Sequence, residues 1–138
     1  MRDRYRIWLA VALGSGLGAV SRHLVAVAAF SVLGPTFAWG TLAVNLVGSW
    51  LIGIYAALTE PGGALVVGPA MRQFVLAGFC GGFTTFSVFS LEALIWLQQG
   101  RPGLAGAYVI GSVILWITAV WTGYAQGMWI NDRQTRSG

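Results

Sequence analysis

In the stretch GTLAVNLVGSWLIG, Thr41 and Asn45 stand four apart, and Gly48 falls close to the same helical face. A hydroxyl and an amide stacked one turn apart offer hydrogen-bond donors in a segment that is otherwise apolar. The next apolar run holds GGFTTFSVFS, residues 81–90, in which two glycines and the β-branched Thr84 and Thr85 interrupt what would be a plain helix. Glycine and threonine together favour a break. A break frees backbone carbonyls and amides that an apolar surrounding cannot satisfy. Freed carbonyls suit a small hard cation, whereas the nearby hydroxyls and the asparagine amide suit a small anion.

Phe86 and Phe89 share a face, as do Ser87 and Ser90, and the last apolar run carries Tyr108, Ser112 and Thr118, the first two again one turn apart. Each of these residues has an ordinary structural reading. Asn45 serves as interhelical glue, the phenylalanines as packing, and the serines bond back to their own helix. The pairs Gly14/Gly18 and Gly123/Gly127 are first of all devices for close helix packing. Glu92, two turns past the break, pairs with an arginine, is protonated, or faces water. Arg22 either reaches toward lipid head groups or sets an electropositive entrance for an anion, and His23 beside it lacks ligand partners. No nucleophile–base–acid set occurs, and GSGLG at Gly14 lies within an apolar run rather than after a strand. Enzymatic activity is not expected.

These groups must be held by elements of a membrane protein. Of the 138 residues, 57% are hydrophobic and only 9% charged, against about a quarter charged in a soluble domain, and the mean hydropathy is +0.73. Apolar runs at 7–33, 38–58, 71–98 and 104–130 each exceed the roughly 20 residues that cross a hydrocarbon layer about 30 Å thick. The expected fold is an all-α integral membrane protein, one domain over residues 1–138, with four transmembrane helices and a break in the third. The connections, around Gly34 and Pro35, in EPGGALVVGP and in QQGRPG, consist of turn formers. A basic amino terminus before an apolar run also describes a secretory signal, but its removal would leave three spans, so the first run is expected to stay. Cys80 is the lone cysteine, which excludes an intramolecular disulfide.

All eight basic residues are arginines, and the net charge is +4. Their distribution speaks of topology, not of nucleic acid. Arg2, Arg4, Arg6, Arg133 and Arg136 lie at the termini and Arg72 opens the third span, against Arg22 and Arg101 on or near the other side. The positive-inside rule therefore favours cytoplasmic termini in the cell membrane.

At GTLAVN, GGFTTFSVFS and GAVSR the sequence resembles the Fluc (CrcB-type) fluoride channels of microorganisms, and the resemblance extends across all four spans. It implies a passive, fluoride-selective channel that lowers cytoplasmic fluoride, built from two subunits in opposite orientations around a structural sodium ion that is not transported. The carbonyls of Gly81 and Thr84 would face that sodium. Asn45, Phe86 and Phe89 match pore residues, with Thr41, Thr85, Tyr108 and Ser112 as further donors along the anion pathway and Arg22 near its entrance. One position departs from the pattern: Trp116 stands where members commonly carry a hydroxyl one turn after Ser112. That departure puts the polar track of the fourth span in question.

Two other classes compete. A small four-span, proton-coupled multidrug transporter also forms antiparallel dimers, but it would want a central carboxylate in the first span, and none occurs there. A non-conducting partner in a heteromeric channel is the other, with Trp116 and the arginine bias as its arguments.

Overall fold

The computed structural model describes residues 1–137, apart from the side chains of Arg2 and of 135–137. The Arg136 side chain, counted above, lies outside that description, as does that of Arg2. Helix α1 spans Arg2–Leu33 and α2 spans Trp39–Leu58. The third span, Pro69–Gln98, is composite: α3 (Pro69–Gln73), a π-helical segment (Phe74–Cys80), α4 (Gly81–Phe83) and α5 (Ser87–Gln98). Helix α6, Pro102–Ser137, completes the bundle. Among the described residues four helices are thus long and apolar enough to cross a membrane, as the hydropathy predicts.

Local chemistry sets the ends. Gly100 takes φ 71° after α5, and the Gly100 amide donates to Leu97 O at 3.1 Å while the Arg101 amide donates to Trp96 O at 2.9 Å. This paired closure favours glycine because its left-handed backbone carries no Cβ penalty. Proline follows at once as the first residue of α6, where its missing N–H costs no helical bond. Gly34 also takes a positive φ, 75°, after α1, and its amide donates to Phe30 O at 3.0 Å.

Packing follows the small residues. A Cβ on Gly14 or Gly18 would run into the backbone of the third span, at Phe74 O and Phe79 O, and one on Gly82 would meet Ser15 O. Gly123 and Gly127 do the same for α6 against α2, at Trp50 O and Ile54 O. The pairs read from the sequence are therefore backbone contact points, and α1 grips the third span while α2 grips α6. In lipid, where no hydrophobic force drives helices together, such close approach lets them gain packing contacts with each other. At the end carrying both termini, Asn131 donates to Ala57 O at 2.9 Å and accepts from the Ala64 amide at 2.8 Å, tying down the connection between the second and third spans.

Candidate functional site

One face of α2 meets the third span turn by turn. Thr41 donates to Glu92 Oε1 at 2.8 Å. One turn along, Asn45 Nδ2 donates to Thr85 O at 2.9 Å, and Asn45 Oδ1 accepts from the Thr85 amide at 2.7 Å. Three residues further, the space above Gly48 holds the Thr84 methyl group.

The break sits at 84–86, between α4 and α5. Gly81 and Gly82 remain helical; Thr84 is the residue that turns extended, with φ −83° and ψ 159°. Gly82 is required for packing instead, directly on α1 at Ser15, whereas a Cβ on Gly81 would meet nothing within 4 Å. Asn45 makes the break affordable by capturing the Thr85 amide, which in an unbroken helix would bond Gly81 O. Val88 N, which would bond Thr84 O, donates instead to Thr85 Oγ1 at 3.2 Å. The carbonyls of Gly81 and Thr84 thus both lose their helical donors. Thr84 itself is fixed at two points, its amide and its hydroxyl donating to Cys80 O at 3.0 and 2.9 Å.

A cavity of about 220 Å³ opens beside the break, lined by Asn45, Ser49, Thr84, Thr85, Phe86 and Trp116 among others. An asparagine amide carries two N–H groups, so Asn45 retains one beyond its bond to Thr85. Thr85 Oγ1 and Ser87 Oγ lie 3.3 Å apart. Ser90, by contrast, donates back to Phe86 O at 2.8 Å, and Thr118 to Ile114 O at 2.8 Å.

Among the described residues Glu92 has neither an arginine nor any other cation as a hydrogen-bond partner. Its second oxygen accepts from the Tyr108 hydroxyl at 2.8 Å. Thr41 and Tyr108 therefore spend their hydroxyl hydrogens on a carboxylate, and only their oxygen lone pairs remain. The aromatic residues surround this node. Phe89, 4% exposed, lies 5.0 Å from Tyr108 and 4.7 Å from Trp116 by ring centroids. Phe86, 5.7 Å from Phe89, is 73% exposed on the single chain. Ser112 Oγ and Trp116 Nε1, one turn apart on α6, are buried without a hydrogen-bond partner.

Arg22 is half-buried. It stands eleven residues short of Leu33, the end of α1, or about 16 Å along the axis. The structure thus brings Thr41, Asn45, Thr85, Phe89, Tyr108 and Ser112 into one buried strip and leaves Phe86 on the surface. Two features escaped the sequence reading: the Glu92 node, and the seating of Thr84 on Gly48. The proximity of Gly48 to the Asn45 face was the available signal for the second.

Residues 9–124 match the family model described as CrcB-like protein, Camphor Resistance (CrcB). A protein of Opitutus terrae named fluoride-specific ion channel FluC is 46% identical over 91% of this chain and 96% of its own length. Fluoride-specific ion channel FluC 1 of Rhodopseudomonas palustris is 46% identical, covering 90% of this chain and 88% of its own. The FluC protein of Rhodospirillum rubrum is 40% identical over 91% of this chain and 97% of its own.

Proposed function

The chain belongs to the CrcB family, and on that premise we propose that it is a fluoride-selective channel through which fluoride leaves the cytoplasm down its gradient. The observation that carries this reading is the clamp of Asn45 on Thr85, which holds a helix break open beside a cavity. Fluoride is small and strongly hydrated, so a pore must replace its water with several donors, none of them strong enough to trap it. The remaining Asn45 N–H, the Thr85–Ser87 hydroxyl pair and the electropositive edges of Phe86 and Phe89 are donors of that moderate kind. The chain contains no lysine to hold the ion. Fluoride that enters as neutral HF dissociates at cytoplasmic pH, and a passive anion path relieves that trapping without coupling to another ion.

A structural sodium fits the same break. The oxygens of Gly81 and Thr84 would hold it, since both have lost their helical donors, and its positive charge would offset the converging carbonyl dipoles. Two oxygens are too few for a hard cation, which favours a second subunit bringing the same pair. The exposure of Phe86 and of Gly81 on the single chain supports an interface there. Opposite orientation of that subunit follows from the family resemblance.

Efflux from liposomes containing only this protein tests the reading. Fluoride is expected to leave far faster than chloride; equal rates for the two ions would sink it.

A second reading is favoured by Trp116, whose ring walls the cavity and lies against Phe89, together with the arginine bias of six on the terminal side against Arg22 and Arg101. In it, the subunit works beside an oppositely oriented paralogue. Liposomes silent with this protein alone and active once the paralogue is added would favour it, as would a carboxyl-terminal reporter found on one side of the membrane.

A further inference from the structure

We propose that Gly48 is a positioning residue for the break: the missing side chain at 48 is the seat of the Thr84 methyl, and this seat fixes the direction of the Thr84 carbonyl. The inference rests on the reading of the break as the ion-bearing part of a channel.

A Cβ built at Gly48 would collide with Thr84 Cγ2, whereas its next neighbours, Phe83 Cδ1 at 3.4 Å and Thr84 Cβ at 3.8 Å, are ordinary contacts. The obstruction is one methyl group. Thr84 cannot swing that methyl aside freely, because its hydroxyl is engaged by Cys80 O at 2.9 Å. With Oγ1 on Cys80 and Cγ2 on Gly48, both branches of the threonine are occupied, and the side-chain rotamer is set from two sides. The following residue is held just as firmly, since Asn45 bonds both the amide and the carbonyl of Thr85. Asn45 and Gly48, three apart on α2, therefore grip consecutive residues of the broken segment. Between those two grips lies the Thr84 carbonyl, which has no helical donor.

Threonine at 84 thus has a use for each branch: valine would forfeit the Cys80 bond, and serine would leave the Gly48 seat empty. A side chain at 48 pushes Thr84 Cγ2 and turns its carbonyl, and the damage should vanish if that methyl is removed. Gly48→Ala combined with Thr84→Ser moves one methyl from residue 84 to residue 48 at constant volume. Swaps that conserve volume are the ones tightly packed sites tolerate best.

The experiment is a double-mutant cycle on the full chain with Gly48→Ala, Thr84→Ser and the pair. Fluoride efflux from liposomes is measured while sodium is replaced stepwise by N-methyl-D-glucamine, and thermal unfolding is followed in detergent. Gly48→Ala is expected to cut efflux at least about tenfold and to raise the sodium needed for half-maximal efflux by a similar factor. Thr84→Ser alone empties the seat and is expected to cut efflux by about threefold, a smaller loss than that of Gly48→Ala, and the double variant, which refills the space from residue 48, should do no worse than Thr84→Ser. An unaffected Gly48→Ala, or a double variant as impaired as Gly48→Ala, overturns the proposal. If Gly48→Ala yields no folded protein, recovery of folded protein in the pair supports the seat, and its failure overturns it. Should the wild type conduct no fluoride by itself, the reading as a self-sufficient channel fails, and the unfolding midpoints decide the Gly48–Thr84 coupling by the same pattern. Should it conduct without regard to sodium, the sodium reading fails and the efflux cycle still decides the coupling.

Discussion

Asn45 closes two hydrogen bonds on a single residue forty positions away, donating to the carbonyl of Thr85 and accepting from its amide. A side-chain amide here does what a neighbouring strand would do for an extended residue. The helix can break inside a membrane because the freed groups of Thr85 are repaired from α2, and the ones left over are Gly81 O, in the helical turn before the break, and Thr84 O at the break itself.

Asn45→Asp is expected to be more harmful to efflux than Asn45→Ser. The carboxylate still accepts from the Thr85 amide, but it cannot donate to Thr85 O, and it sets a negative charge on the anion's cavity. Serine keeps one donor and loses the bridge, leaving a buried group unpaired at a cost of about 1–3 kcal/mol. A fully conducting Asp variant would show that position 45 stands off the path.

The two phenylalanines should separate in their effects. Phe86→Ile and Phe89→Ile are both expected to reduce fluoride efflux sharply, because each removes an aromatic edge. Only Phe89→Ile should also lower the unfolding midpoint, since Phe89 is packed between Tyr108 and Trp116 while Phe86 is exposed on the single chain; losing such a ring pair costs about 0.5–1.5 kcal/mol beyond the buried area. Normal efflux in both variants would assign the rings to packing alone.

At the Glu92 node, Thr41→Val and Tyr108→Phe each withdraw one hydroxyl from a carboxylate in an apolar span. Each is expected to destabilise the protein by about 1–3 kcal/mol, measured by unfolding in detergent. The double variant should depart from the sum of the two, because both hydroxyls serve the same acceptor. Strict additivity would mean that the hydroxyls do not share Glu92 in solution.

Exchange of sodium for a large organic cation is expected to weaken subunit association or efflux, as Gly81 O and Thr84 O would then face each other without an intervening charge. Unchanged association and efflux after thorough exchange would remove the ion from the break.

Local chemistry along the chain was enough for the four spans, their turn residues and the presence of the break, because hydropathy, glycine closures and the threonine pair act within a few neighbouring residues. It also marked Gly14, Gly18, Gly123 and Gly127 as packing positions, which the backbone contacts bear out. The partners were decided by the tertiary structure. For Glu92 the hydroxyl partners were out of reach of the sequence, and folding brought it those of Thr41 and Tyr108, 51 and 16 positions away. Gly81 and Gly82 looked like the break itself, yet they stay helical and the chain turns at Thr84. The reason is physical: helix register against a neighbour, set by where two backbones approach most closely, determines which freed carbonyl or hydroxyl meets which donor. That register is a property of two segments together and is written in neither one alone.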